Sequence, residues 1–213
     1  MQHKIIKKIF DKYALGYARK YADQDLYRAD LEILPLLISQ DKPQILDIGC
    51  GPGNLTHAIS ELFPEADITG IDLSSEMLKI AKSRIPKAKF RQMNSNSISR
   101  IASVYDLVVA GFLLPYLNQN ELKKLIHDLS IILEPGGIFF MSTMIHKRGF
   151  LEEDVRRADN HDETLPTFYH TEEAITDFTV RNGFHLVHAN NIDNPGYIDN
   201  NISDLILVFQ KYT

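Results

Sequence analysis

Three glycines spaced one residue apart are the first feature of this sequence whose spacing points to chemistry. Gly49, Gly51 and Gly53 follow the apolar segment 45–48, and residues typical of a helix start come next. Glycine adopts positive φ and carries no Cβ, so a ligand can contact the backbone itself. The N–H groups at the start of the following helix are free to bind polar ligand atoms. The spacing therefore predicts a ligand-binding turn between a strand and a helix.

Two carboxylates accompany this glycine turn. Asp47 lies inside the preceding strand, where a buried carboxylate is costly unless it is hydrogen-bonded. We expect it to orient the turn or to meet a cationic group of the ligand. Asp72 ends the next apolar segment, and an acidic residue about 20 positions after a glycine turn can accept both hydroxyls of a ribose. Its alternative role is the N-cap of the helix that begins at Ser75, which Ser74 can also supply.

Strand-like and helix-like segments alternate from residue 44 onward, which predicts a parallel sheet covered by helices on both faces. The segments that read as strands are 44–48, 67–71, 88–92, 105–110 and 138–144. Those that read as helices are 55–63, 75–84, 119–133 and 171–181. The last two strands, 184–189 and 204–209, have no helix between them and are expected to be antiparallel at the sheet edge. Residues 3–39 are predicted to be helical with a break at 23–25, and Pro35 is expected to kink or end the second helix.

Composition and charge exclude some kinds of site and argue against some classes of protein. The net charge is -5 over 213 residues, and the basic block typical of a nucleic-acid binder is missing. The single cysteine, Cys50, excludes an internal disulfide and a metal site of several cysteines, and no metal site is predicted. The sequence contains no stretch of about 20 apolar residues that could span a bilayer. The N-terminus does not have the pattern of a secretory signal. We therefore expect a cytoplasmic protein.

Four segments together resemble the motifs of class I S-adenosylmethionine-dependent methyltransferases, in the family's order and spacing. They are ILDIGCGPG from Ile45, GIDLSSEMLKIAK from Gly70, YDLVVAGFLLPYL from Tyr105 and ILEPGGIFFMST from Ile132. The resemblance covers residues 44–143. It implies an α/β, Rossmann-like, doubly wound sheet of seven strands in the order 3-2-1-4-5-7-6, with the last strand antiparallel and helices on both faces.

The resemblance also implies one methyltransferase domain over residues 1–213. Within it we expect three parts: an N-terminal helical extension or lid at 1–40, a cofactor-binding core at 41–144, and an acceptor-side insertion with the edge strands at 145–213.

The same resemblance implies roles in binding S-adenosylmethionine. The three glycines would lie against its methionine moiety and ribose, Asp47 near its amino-acid end, Asp72 at the ribose hydroxyls and Leu73 on the adenine. Asn94 stands where the family often has an aspartate, and its carbonyl can accept the same bond from the adenine amino group. Cys50 is interpreted as a packing residue of the turn, because no positioned base is visible beside it. The remaining residues expected at the cofactor are Met77, Met93, Ser95, Gly111 and Phe112.

The activity that the resemblance implies is transfer of the methyl group by in-line displacement, with S-adenosylhomocysteine as the product. Such a reaction mainly needs proximity and orientation, and a general base only when the acceptor is protonated. Enzymes that methylate amino groups of bases or of glutamine carry an N/D-P-P-Y/F motif after the fourth strand. Residues 110–113 do not have this motif, which argues against those acceptors and favours a small-molecule acceptor.

Two segments outside the conserved sheet are candidates for acceptor contacts. Residues 13–21 are interpreted either as a lid over the cofactor or as a helix packed on the sheet, and the candidate acceptor contacts are Tyr13, Tyr17, Tyr21 and Tyr116. Residues 146–171 are polar and charged, and are interpreted either as acceptor contacts or as a solvated helix and loop. Because a histidine titrates near neutral pH, this segment also supplies the candidate catalytic residues, which are His146, Tyr169 and His170.

Other classes of function remain open. A nucleic-acid (RNA) methyltransferase would need a basic face around the pocket mouth. A regulatory protein that binds the nucleoside cofactor without catalysis would leave no room for an acceptor. A nicotinamide-dependent enzyme is disfavoured, because dinucleotide sites use G-x-G-x-x-G and this turn reads G-x-G-x-G.

Overall fold

The computed structural model describes residues 2–21, 27–157, 160–193 and 201–213. Its strands are β1 (Gln44–Ile48), β2 (Asp67–Asp72), β3 (Lys89–Gln92), β4 (Tyr105–Gly111), β5 (Leu133–His146), β6 (Leu151–Arg157), β7 (Asn160–Tyr169), β8 (Phe184–Ile192) and β9 (Ile202–Lys211). Its α-helices are α1 (Gln2–Lys20), α2 (Arg28–Leu31), α3 (Leu34–Leu37), α4 (Asn54–Leu62), α5 (Ser75–Arg84), α6 (Gln119–Ile132) and α7 (Glu172–Val180). Two 3₁₀ helices span Ser95–Arg100 and Leu114–Tyr116.

Seven of the strands form one sheet in the order β3-β2-β1-β4-β5-β9-β8. The pairs among β1 to β5 are parallel, whereas β9 runs antiparallel to both β5 and β8. The predicted topology is therefore confirmed. The edge strands are numbered 9 and 8 because β6 and β7 come before them and form a separate two-stranded sheet.

The central strands are buried on both faces, which explains their uninterrupted apolar sequence. On one face, Leu46 and Val108 belong to a cluster that α6 covers. On the other face, Ile45 and Val109 pack with residues of α2, α3 and α4. Because parallel strands end at the same edge, the glycine turn, Asp72 and the end of β4 meet above this core.

Two helices begin at residues whose side chains cap them. The Ser74 hydroxyl accepts from the N–H of Met77 and caps α5, so Asp72 is not its N-cap. Asn118 and Glu121 form a capping box at α6. Both caps fix helices whose N-terminal ends border the site.

The segment between β5 and α7 contains a strand pair, where its polar composition had suggested a helix and loop. β6 and β7 are antiparallel, with Leu151 opposite Tyr169. Leu165, Phe168 and Tyr169 of β7 are buried, so the end of this strand packs against the rest of the molecule.

The N-terminal region begins with one long helix, α1. The predicted break at 23–25 lies outside the described residues. The predicted second helix is divided into the short α2 and α3, and Pro35 lies in the first turn of α3, where it needs no N–H partner. None of the helices in the described ranges is both long and apolar enough to cross a membrane.

A pair of glycine substitutions tests the packing of the sheet. An ideal Cβ at Gly70 in β2 would lie 2.7 Å from two ring atoms of Phe90 and 2.9 Å from Sγ of Cys50. We expect Gly70→Ala to lower the free energy of unfolding by about 1–3 kcal/mol through overpacking. Gly16→Ala is the control, because its Cβ would meet nothing within 4 Å and its helical position should gain roughly 0.5–1 kcal/mol. Urea denaturation measures both, and equal stabilities of the two variants would contradict this packing.

Candidate cofactor site

The glycine turn joins β1 to α4 with all three glycines at positive φ, at +73° for Gly49, +53° for Gly51 and +82° for Gly53. A Cβ at Gly53 would lie 3.0 Å from Cδ1 of Ile85 and 3.2 Å from Cβ of Ala81. This glycine therefore allows α4 to approach α5. A Cβ at Gly51 would meet nothing within 4 Å. Gly51 thus has open space above it, where a ligand can contact the backbone.

Asp72 connects the end of β2 to the glycine turn. Its Oδ2 accepts from the N–H of Gly51 at 2.9 Å, and its Oδ1 accepts from the N–H of Ser74 at 2.7 Å. Burial raises the pKa of Asp72, and these two backbone hydrogen bonds act in the opposite direction. Each carboxylate oxygen has a further lone pair, so Asp72 can still accept hydroxyl groups of a ligand in the pocket.

Asp47 lies beneath the turn and is buried. Its Oδ2 accepts from the hydroxyl of Thr56 at 2.6 Å, whereas its Oδ1 has no hydrogen-bond partner among the described residues. Burial raises the pKa of Asp47 to about 7, a change that the Thr56 hydrogen bond opposes and the Asp72 charge reinforces. An unsatisfied buried carboxylate oxygen is costly, and it can be satisfied by a cationic donor of a ligand.

A pocket opens above the glycine turn and collects most of the residues predicted to bind the cofactor. Those that line it are Gly49, Gly51, Asp72, Leu73, Met77, Met93, Ser95, Gly111 and Phe112. Among the candidate acceptor contacts, Tyr17 and Tyr116 line the pocket, and Tyr13 and Tyr21 are not part of its lining.

Four predicted cofactor residues are outside the pocket lining. Asp47 and Gly53 support the turn as described above. Cys50 packs in a cluster with residues of α5 and β3, and burial raises the pKa of its thiol well above the usual value, which agrees with a packing role. The side-chain oxygen of Asn94 accepts from the N–H of Asn96 at 2.8 Å and caps a 3₁₀ helix, which uses one of its two lone pairs.

Helix α1 covers the pocket, and its residues His3, Ile6 and Phe10 are lining residues that the sequence did not identify. The apolar repeat of α1 indicated a buried face but not the surface that the face contacts. Only the packing of α1 across the ends of the strands reveals this surface.

Contacts along the length of α1 attach it to elements that border the pocket. Nε2 of His3 lies 2.6 Å from Oε1 of Glu121 at the start of α6. The hydroxyl of Ser74 donates to Oδ1 of Asp11 at 2.6 Å. Near the other end, the side-chain amide of Asn54 in α4 donates to the carbonyl of Tyr21.

The ionisation of Asp11 strengthens its hydrogen bond with Ser74. Burial alone would raise the pKa of Asp11, but hydrogen bonds from Lys7 and Ser74 outweigh it and lower the pKa. The carboxylate is therefore ionised near neutral pH and accepts a charge-assisted hydrogen bond from Ser74.

The candidate catalytic residues are outside the lining of this pocket. Nδ1 of His146 accepts from the N–H of Arg148 at 3.1 Å, and its ring lies 5.8 Å from that of Tyr169. Nε2 of His170 donates to the carbonyl of Leu117 at 2.8 Å. Burial lowers the pKa of His170, with backbone hydrogen bonds opposing. His170 thus joins the end of β7 to the 3₁₀ turn that carries Tyr116 into the pocket.

The fold and this pocket define a class of protein. A doubly wound sheet with a glycine turn after β1 and a carboxylate at the end of β2 is the arrangement of nucleoside-cofactor domains. The comparison with known proteins is more specific. Residues 45–137 match the family model of a methyltransferase domain, and this segment of the chain is such a domain. The resemblance to class I S-adenosylmethionine-dependent methyltransferases is thereby confirmed.

Sequence relatives agree with this family. The chain is 33% identical over 119 residues to trans-aconitate 2-methyltransferase from Azoarcus sp. (strain BH72), which is 56% of this chain and 46% of the relative. It is 31% identical over 150 residues to malonyl-[acyl-carrier protein] O-methyltransferase from Bacillus cereus, which is 67% of this chain and 54% of the relative. The chain thus covers about half the length of these relatives.

Solved structures agree in fold over nearly the whole chain. An S-adenosylmethionine-dependent methyltransferase from Clostridium acetobutylicum superposes with a TM-score of 0.70 at 18% identity, over 96% of this chain and 100% of that one. Magnesium protoporphyrin IX methyltransferase from Synechocystis, solved with bound S-adenosylmethionine, gives a TM-score of 0.70 at 15% identity. The superposition covers 99% of this chain and 97% of that one. At these identities the likeness establishes the fold.

The burial of Asp47 predicts a specific dependence of stability on pH. Its folded-state pKa of about 7 lies above the unfolded value, so protonated Asp47 stabilises the fold at low pH. That contribution is lost as the pH rises from about 4 through 7. Over this range we expect the wild-type protein to lose on the order of 4 kcal/mol of unfolding free energy. The Asp47→Asn protein should show no such loss. Urea denaturation at each pH measures the difference, and parallel pH profiles of the two proteins would contradict it.

Proposed function

We propose that this chain is an S-adenosylmethionine-dependent methyltransferase that acts on a small-molecule acceptor. The observation that carries the proposal is the pairing of the open space above Gly51 with the Asp72 carboxylate in one pocket. The match of residues 45–137 to a methyltransferase domain supports the same conclusion.

The pocket residues fit the parts of this cofactor. Asp72 would accept the two ribose hydroxyls, and Leu73, Met93 and Ser95 would surround the adenine. The unsatisfied Oδ1 of Asp47 fits the ammonium group of the methionine moiety, because the positive charge would compensate the buried carboxylate.

The bound cofactor would supply a methyl group on a positively charged sulfur. A lone pair of the acceptor would take this methyl group, and the electrons of the carbon–sulfur bond would stay on sulfur, with S-adenosylhomocysteine as the product. If the acceptor atom carries a proton, that proton leaves to water. The part of the protein is to hold the two molecules in line and to exclude solvent.

We also propose that residues 1–213 act as one domain in which residues 1–40 contain the lid. The contacts that α1 and Tyr21 after it make with Glu121, Ser74 and Asn54 support this, because they reach the starts of three different helices. A cofactor covered by α1 could enter or leave only when these contacts break. The same cover restricts the acceptor to a molecule small enough to be enclosed, which favours a small molecule over a nucleic acid.

Replacement of Asp72 tests the assigned pocket. We expect Asp72→Ala to weaken binding of S-adenosylhomocysteine by roughly 100-fold, because two hydrogen bonds to a charged group are lost. Asp67→Ala is a matched control at the opposite end of β2, where Asp67 is partly exposed and pairs with Lys89. Calorimetric titration measures both affinities. Unchanged affinity in a folded Asp72→Ala protein would mean that the ribose site is elsewhere.

A further inference from the structure

Aromatic side chains form the wall of the pocket on the side of α1. The ring of Phe10 lies 5.2 Å from that of Tyr116 and 5.7 Å from that of Tyr17, both nearly perpendicular. These three residues and Phe112 all line the pocket. Edge-to-face and offset-stacked rings attract each other, so this wall is suited to a ligand that is itself a flat ring.

Phe112 provides a second, independent observation. It has a φ of +51° and is the one residue other than glycine with positive φ among those the structure describes. This conformation is unfavourable for a bulky side chain. It is held by the hydrogen bond from the N–H of Phe112 to the carbonyl of Ser142, at 2.9 Å, and by the ring of Tyr27 at 5.6 Å. Strained backbone of this kind occurs preferentially at ligand sites, and here it places an aromatic ring at the pocket.

The ionisable residues around the pocket also indicate which kind of ligand it can bind. In the described part of the chain, the lining residues include neither lysine nor arginine, and their only ionisable acid and base are Asp72 and His3, apart from the tyrosines. Asp72 is an acid and supplies no positive charge, and His3 already faces Glu121. A di- or tricarboxylate buried against this wall would meet no lysine or arginine of the lining. The single positive sulfur of the cofactor would leave at least one of its carboxylates unpaired, which is costly.

We propose that the methyl acceptor is an uncharged small molecule with a flat ring, which stacks on Phe10, Phe112 and Tyr116, and is not a di- or tricarboxylate. The inference rests on the proposed function and defines its substrate class. It separates this chain from relatives named for trans-aconitate and for a malonyl group. Phe10 and Tyr17 lie outside the segment 45–137 that matches the family model, so the acceptor wall need not resemble that of these relatives.

The test titrates two probes into protein saturated with S-adenosylhomocysteine, with calorimetric detection. One probe is 2-naphthol, a neutral fused ring, and the other is trans-aconitate. The variants are Tyr116→Leu, which removes a ring of the wall, and Tyr116→Phe, which keeps it. Tyr212→Leu is the control, because Tyr212 is an exposed ring stacked on His185 and is not part of the pocket.

The proposal predicts that 2-naphthol binds and that trans-aconitate does not. It also predicts that Tyr116→Leu weakens 2-naphthol binding about five- to tenfold, whereas Tyr116→Phe and Tyr212→Leu leave it within twofold. Binding of trans-aconitate in preference to 2-naphthol, absence of 2-naphthol binding, or equal affinities of Tyr116→Leu and Tyr116→Phe would overturn the acceptor class. The titration with S-adenosylhomocysteine alone comes first, and its failure would overturn the proposed function itself.

Discussion

The rest of the site depends on the two hydrogen bonds that the Asp72 carboxylate accepts from the N–H groups of Gly51 and Ser74. They connect the end of β2, the glycine turn after β1 and the start of α5. Because all three elements rise from a sheet whose central strands are buried on both faces, this connection is held by the core. The carboxylate therefore stays at the pocket wall although burial opposes its charge.

Two parts of the chain form the pocket: the ends of the sheet strands and the N-terminal helix. The ends of β1, β2 and β4 provide its floor, and this part coincides with the segment that matches the methyltransferase family model. Its cover comes from α1, outside that segment, and is attached by side chains that include His3, Asp11 and Asn54. Cofactor binding would thus depend on the core, and acceptor choice on the cover and the Tyr116 turn.

Much of the core could be predicted from the sequence. Apolar strands, a glycine turn and capping residues are local signals, and each leads to the element found. The roles of Ser74 as a cap and Cys50 as a packing residue follow from the same local reasoning. Fewer contacts of the cover could be predicted, because they depend on which surface a helix meets. Ile6 and Phe10 show a helical repeat in the sequence, but nothing local shows that they face the pocket. The strands β6 and β7 were missed because most of their residues are polar, and the burial of Leu165, Phe168 and Tyr169 in β7 depends on tertiary packing.

The most direct test of the central claim is a crystal structure of the protein with S-adenosylhomocysteine. The account predicts ligand density above Gly51, ribose oxygens within hydrogen-bond distance of the Asp72 carboxylate, the amino group near Oδ1 of Asp47, and α1 lying over the ligand. Ligand bound away from the glycine turn, or a ribose that makes no contact with Asp72, would contradict it.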